Sequence, residues 1–201
     1  MKKNKFIQTI PGQDEVLCYS SVHEKYKDSS GDIVDIGCLG WDWSNMFLGN
    51  RRVIGADPQE KHTPPYCRLF KGIVGPFDGL ARIEETGIGA GVSNNGLGSW
   101  YDVLSWKSFC KRFNIDTIAI LKINIEGGEY SLLQSMDSND FAKIEQITVS
   151  FHDWLWPEQK QQKLAALELL KNNGFNIIDA SDTRPDFKNS NPWGWYLAYK
   201  D

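Results

Sequence analysis

An apolar, β-branched run from Ile118 to Ile125 ends in Glu126-Gly127-Gly128-Glu129-Tyr130. A run of this length reads as a strand buried on both faces, an environment found in the interior of a parallel sheet. Gly127 and Gly128 allow a sharp exit turn. Tyr130, Leu132, Leu133 and Met136 then repeat at helical spacing. The unit is strand, turn, helix, and it places Asn124 and Glu126 at the carboxyl end of a central strand. In open α/β sheets that edge is where ligands bind. The same spacing also describes an ordinary strand-to-helix turn with solvated carboxylates.

The flanking chain repeats the pattern. Residues 1–30 carry a leader helix over Gln13 to Tyr26, broken by Ser29-Ser30-Gly31. The segment Asp32-Ile33-Val34-Asp35-Ile36-Gly37 is a strand. A helix starts near Asp42 or Ser44, runs through Met46, Phe47 and Leu48, and stops at Gly49-Asn50. Arg52 to Asp57 is the second strand, followed by Pro58, and Cys67 to Val74 is a third. Gly79 to Ile83 reads as a short antiparallel strand. Residues 84–99, with five glycines, read as a flexible surface loop, either a lid over substrate or a plain connection. Ser105 caps a helix to Phe113. Asp137 to Asp140 reads as a turn and Ile144 to Phe151 as a strand. Pro157 opens a long helix to about Asn173, with Leu164, Leu167, Leu169 and Leu170 on its buried side and Gly174 as its cap. Phe175–Asp179 and Trp193–Tyr199 are the last strands, joined without a helix and therefore suited to antiparallel pairing. Strands alternating with helices give one α/β domain over 1–201, a doubly wound, mostly parallel sheet with helices on both faces.

Composition narrows the function. A net charge of −4 and no basic run argue against broad capture of nucleic acid or anionic lipid. The N-terminal stretch is charged and polar-broken, which fits neither a signal peptide nor a membrane span. Cys18, Cys38, Cys67 and Cys110 are scattered without a C-x-x-C, so the expectation is reduced thiols, no metal site and a cytoplasmic location. Six of the eight tryptophans form Trp-x-Trp pairs: 41 and 43, 154 and 156, 193 and 195.

The first strand, its glycine turn and the second strand form a βαβ unit. Asp35 and Asp57 lie about twenty residues apart, as in units that hold a ribose. Glycines at 37 and 40 let backbone approach a ligand, and Asp57 at the second strand tip can accept both ribose hydroxyl protons. A solvated strand-end acid is the plainer account of Asp57. The dinucleotide pattern wants a glycine where Asp35 stands.

Taken with Leu121-Lys122-Ile123-Asn124-Ile125-Glu126-Gly127-Gly128-Glu129, Val34-Asp35-Ile36-Gly37, Asp42-Trp43-Ser44 and the strand from Ile147 to His152, the chain resembles the FkbM family of S-adenosylmethionine-dependent methyltransferases over about Ile33 to Ile178. That resemblance implies a Rossmann-like class I fold with a seven-stranded sheet, S-adenosyl-L-methionine as cofactor, and O-methylation of a hydroxyl on a sugar or other secondary metabolite. The cofactor turn would comprise Asp35, Gly37, Cys38, Gly40, Trp41, Asp57 and Pro58. Three residues depart from the pattern. Asn124 stands where the family has aspartate, Ser150 where it often has glutamate, and Trp41 where its second glycine falls, with Gly40 one place early.

Methyl transfer requires a positioned acceptor and a base. His152 and Glu126 are the candidates, His152 having a reference pKa of about 6.5. Asn124 can only hydrogen-bond. Trp154 and Trp156 offer aromatic faces to a saccharide acceptor; Trp41 packs on the cofactor or shields it. The competing expectations are a non-catalytic domain that binds a glycan or protein partner, motivated by Asn124 and Trp41, and a nicotinamide-dependent oxidoreductase. The oligomeric state is left open.

Overall fold

The computed structural model describes residues 6–7, 22–23, 29–47, 51–85, 90–92, 97–179 and 194–201. In chain order the strands are β1 (Phe6–Ile7), β2 (Val22–His23), β3 (Asp32–Ile36), β4 (Val53–Ala56), β5 (Cys67–Phe70), β6 (Ile73–Gly75), β7 (Gly79–Glu85), β8 (Ala90–Val92) and β9 (Ser99–Ser105). Helix α1 (Trp106–Phe113) leads into β10 (Ile118–Ile123). Then come α2 (Glu129–Ser135), α3 (Ser138–Ala142), β11 (Gln146–Ser150), α4 (Lys160–Asn172), β12 (Asn176–Asp179) and β13 (Trp195–Tyr199).

Seven strands make the main sheet in the order β12-β13-β11-β10-β3-β4-β5. Strands β5, β4, β3, β10 and β11 pair in parallel, and β13 is antiparallel to both neighbours. The sheet is thus α/β and mostly parallel, and its last two strands, β12 and β13, pair antiparallel as the sequence suggests. All six residues of β10 are buried, the consequence of an apolar run with strands on both sides. The carboxyl ends of β3, β4, β10 and β11 share one edge. Gly37, Asp57, Asn124 and His152 follow directly from it.

The two faces are covered differently. Val34, Ile36, Leu121, Ile123, Ile147 and Val149 pack beneath Trp106, Phe109, Phe113, Tyr130, Leu133, Phe141 and Leu170, so α1 to α4 all share one core. Each such large side chain withdrawn from water contributes about 1.5–3 kcal/mol. On the opposite face, Ile33, Val53, Ala119 and Ile120 meet Val22, Trp41, Trp43 and Phe47. Among the described residues, no α-helix contributes to this second core. Among the described residues the chain between β3 and β4 forms only a 3-10 turn, Ser44–Phe47, and residues 48–50 of the expected helix lie outside them. Two indoles fill the volume that a helix from Asp42 or Ser44 would have filled. The Gln146 side chain also bonds both backbone groups of His23, at 2.9 and 2.8 Å, pinning β2 to this face.

Several local readings change. Val22 and His23 are strand, paired with β1, where a leader helix is expected; the rest of that segment, residues 24–26 included, lies outside the described residues. The stretch from Cys67 to Val74 is two strands in two sheets. Gly72 divides them, because a Cβ there would stand 2.5 Å from the Phe70 ring and 2.6 Å from the Asp102 carbonyl. Strands β6, β9, β7 and β8 build a second, four-stranded sheet inserted before α1. Glu84, Glu85 and residues 90–92 of the expected loop belong to it, while residues 86–89 and 93–96 lie outside the described set. Asp137 is an N-cap: it accepts from the Asn139 and Asp140 amides and starts α3 rather than a bare turn. Leu164 is half exposed, since the buried stripe of α4 runs through Ala166 and Leu170 instead. Ser105 caps α1 by accepting from the Ser108 amide, as its position suggests. No helix among the described residues is long and apolar enough to cross a membrane.

Candidate functional site

A cavity of about 810 Å³ opens at the shared strand edge. Its floor is the glycine turn after β3 and the turn after β10. One wall comes from the second sheet through Val74, Ala81, Ile83 and Val103. A volume of this order holds an ordinary cofactor or a drug-sized ligand.

At the first turn Gly37 has φ +85°, and a Cβ there would lie 1.9 Å from the Asn124 carbonyl oxygen. Only glycine permits this approach of the two turns. Beneath it, the buried Lys122 ammonium pairs with Asp35 Oδ1 at 2.9 Å and donates to the Gly37 carbonyl. Ser44 Oγ donates to Asp35 Oδ2. Asp35 thereby braces the turn from below. Glu60 braces it from the side, accepting from the Gly40 amide at 2.6 Å and from the Lys61 and His62 amides at 2.7 Å. Burial would raise the Glu60 pKa, but these three amides hold it below its usual value. Trp41 is buried, donates from Nε1 to the His62 carbonyl at 2.7 Å, and packs over Gly55, where a Cβ would stand 2.5 Å from its ring. Gly40 and Trp41 do not line the cavity. The early glycine and displaced indole make a self-supported turn, with Trp41 part of the protein core.

Asp35, Gly37, Cys38, Asp57 and Pro58 do line it. Burial pushes the Cys38 thiol well above its ordinary range, so this cysteine is not a thiolate nucleophile. Asp57 Oδ1 accepts from the Gln59 and Glu60 amides at 2.8 and 3.1 Å. Among the described residues nothing donates to its Oδ2. Burial raises the Asp57 pKa, and the two amides oppose the rise.

At the second turn Glu126 adopts φ +52°, a left-handed conformation unusual for a side chain with a Cβ. Glu129, fully buried, holds it there. Its Oε1 accepts from the Ile125 amide at 2.8 Å and its Oε2 from the Gly127 amide at 2.9 Å. Glu129 Oε1 also meets His152 Nδ1 at 2.9 Å, and His152 Nε2 faces Glu126 Oε2 at 3.4 Å. The imidazole is therefore gripped by a carboxylate on each nitrogen. Burial would lower its pKa, but the bonds to Glu126 and Glu129 outweigh that and raise it to about 9. The ring expected to act as base at a reference pKa of about 6.5 thus sits between two carboxylates that favour its charged form.

Asn124 and Glu126 line the cavity, whereas His152 sits behind them. Trp156 lines it beside Gly127, its ring 3.2 Å from where a Cβ would be. Trp154 is 39% exposed and lies outside the wall, with its ring centroid 5.9 Å from that of His152. Lys122, Ser44, Glu60 and Glu129 carry site geometry that the motif reading passes over. The detectable signals are a lone cation inside an apolar strand and a second acid three residues after Glu126. Among the described residues no group of three or more His, Cys, Asp or Glu could hold a metal ion.

The family model described as Methyltransferase FkbM domain matches residues 102–177. That span runs from within β9 into β12 and includes Asn124, Glu126, Glu129 and His152, but not the glycine turn or Asp57. No curated protein matches the chain. A crystal structure of methyltransferase FkbM from Methylobacillus flagellatus KT is similar at 13% sequence identity and a TM-score of 0.49. The similarity covers 85% of this chain and 43% of that one, so the present chain spans less than half of that protein's length.

Proposed function

We propose that the protein is a methyltransferase that uses S-adenosyl-L-methionine and methylates a hydroxyl of a sugar or related metabolite. The observation that carries this reading is the Asp57 carboxylate. One oxygen is tied to backbone, no described residue donates to the other, and the residue lines the same cavity as Glu126. A ribose diol can donate to the open oxygen. The match of residues 102–177 to the FkbM domain model supports the reaction class. When bound, S-adenosylmethionine supplies a methyl carbon on a sulfonium, and the carbon–sulfur pair leaves with sulfur as the acceptor oxygen bonds to carbon.

The electrostatics favour this donor over a dinucleotide. Lys122 is the one cationic side chain of the described wall, and it is paired with Asp35. Asp42, Asp57, Glu126 and Glu158 leave the cavity acidic. A pyrophosphate needs free amides at a helix N-terminus. Here the Gly40 amide already serves Glu60, and the segment that follows is a single 3-10 turn. An acidic wall accommodates a sulfonium and an uncharged hydroxyl acceptor, and repels phosphorylated ones.

Titration calorimetry with S-adenosylmethionine and S-adenosylhomocysteine tests the donor site. Micromolar binding is expected, weakened roughly 10–100-fold in Asp57→Ala through loss of a charged hydrogen bond. Equal affinity in that variant removes Asp57 from the site. No binding of either compound in the unaltered protein moves the reading to a non-catalytic glycan- or protein-binding domain.

A further inference from the structure

We infer that Glu126 is the group that receives the acceptor's proton, and that His152, held between Glu126 and Glu129, is a positioning residue rather than the base. The assignment rests on the methyl-transfer reading above.

Three independent features converge on the Glu126 carboxylate. Its backbone is left-handed at φ +52°. Such a conformation costs on the order of 1–3 kcal/mol and persists where surroundings over-determine it. The amides on both sides of it, Ile125 and Gly127, are held by the same buried acid, Glu129. Its Oε2 is faced by His152 Nε2, whose other nitrogen is also held by Glu129. One buried carboxylate therefore sets both the backbone and the side chain of Glu126. The product of that arrangement is a carboxylate that is one-quarter exposed, at the cavity wall, beside Gly127 and Trp156. His152 is almost wholly buried and does not itself line the cavity.

The groups facing the ring make the assignment specific. Glu126 comes from the turn and Glu129 from α2. Asp153 follows in the chain, but its carboxylate is matched by Lys163 of α4 at 2.6 Å. Two carboxylates thus bear directly on one imidazole. In the reaction the acceptor hydroxyl gives its proton to a Glu126 oxygen as the new carbon–oxygen bond forms. Glu126 then returns the proton to water. The products are an ether, a neutral thioether and one proton, so atoms and charge balance.

The test is an NMR titration of the His152 ring in the full chain, run with the donor present and assigned by its loss in His152→Gln. The ring is expected to titrate near 9. In Glu126→Gln its pKa should drop by about one unit or more, because an opposite charge is removed. Glu129→Gln should lower it as well, and should Glu129→Gln fail to fold, the cavity-facing Glu126→Gln carries the test. A ring that titrates below 7 makes His152 a competent base and overturns the assignment. So does a titration unmoved by Glu126→Gln. Calorimetry on the same samples separates the two levels. Absence of donor binding takes down the methyl-transfer reading and the proton's destination with it, whereas a low ring pKa in a protein that binds donor takes down the assignment alone.

Discussion

The cavity has acidic clusters at both ends, and they do opposite things with their charge. Under the glycine turn, Asp35 is 1% exposed and is closed off by Lys122 and Ser44. Glu60 beside it is closed off by three amides. At the turn after β10, Glu129 is just as buried, but its bonds end by projecting a second carboxylate, Glu126, to the cavity. The first cluster is a brace whose charges are consumed within the protein. The second is a brace with a chemical group mounted on it. An acid near a ligand site is thus not by itself a ligand group; what decides is whether an oxygen is left over.

That contrast can be broken from the brace side first. Gly37→Ala drives a Cβ into the Asn124 carbonyl at a disfavoured φ, and should cost roughly 2–6 kcal/mol or prevent folding. Urea denaturation checks it, and a loss under about 1 kcal/mol would mean the two turns are free to separate. Next, Lys122→Met leaves Asp35 buried without its cation and should cost about 3–5 kcal/mol. Adding Asp35→Asn should restore much of that; a double variant no better than the single would show that the pair does not act as a unit.

The other end sharpens the contrast through pH. The unfolded histidine titrates near 6.5, and His152 in the fold near 9. A raised folded-state value stabilises fully below about 6.5, and that contribution is lost as pH rises through about 9. Stability measured by denaturant midpoint should fall by roughly 3 kcal/mol across this window. His152→Gln should flatten the curve, and an unaltered protein with a flat curve would contradict the charged ring. The smallest effect belongs to the mounted group itself. Glu126→Asn, which tolerates the left-handed backbone but removes one of the two carboxylates on His152, should lower stability by about 1–2 kcal/mol at neutral pH. A larger loss would place Glu126 with Asp35 among the braces.

Much of this was readable in the chain itself. The run from Ile118 to Ile123 has one explanation, a central strand, and Gly127-Gly128 after it has one use. The place of Asp57, just past the end of β4, was legible from the acid that closes that apolar run. The unreadable parts depend on partners distant in sequence. Glu60 and Glu129 act on backbone amides, which leave no mark in side-chain spelling. His152 looked like a free base because the acids that charge it, Glu126 and Glu129, lie 26 and 23 residues earlier. The second sheet was read only at Gly79 to Ile83, because β7 and β9 are largely exposed or half-buried, so their side chains carry little apolar alternation. Leu164 misled because a leucine-rich helix offers several overlapping stripes, and only packing selects the one through Ala166 and Leu170.

The left-handed backbone at Glu126 has a consequence for heredity. A glutamate codon is a single base from a glycine codon, and glycine sits at φ +52° without strain. Mutation therefore has a short route to a residue that the backbone prefers. A library drifted under a screen for folded protein alone should accumulate glycine and asparagine at position 126, while one screened for turnover should keep glutamate. Retention of glutamate under both screens would mean that the residue is held by the fold. Its loss under the first and survival under the second would mean that chemistry alone keeps an uncomfortable residue in place.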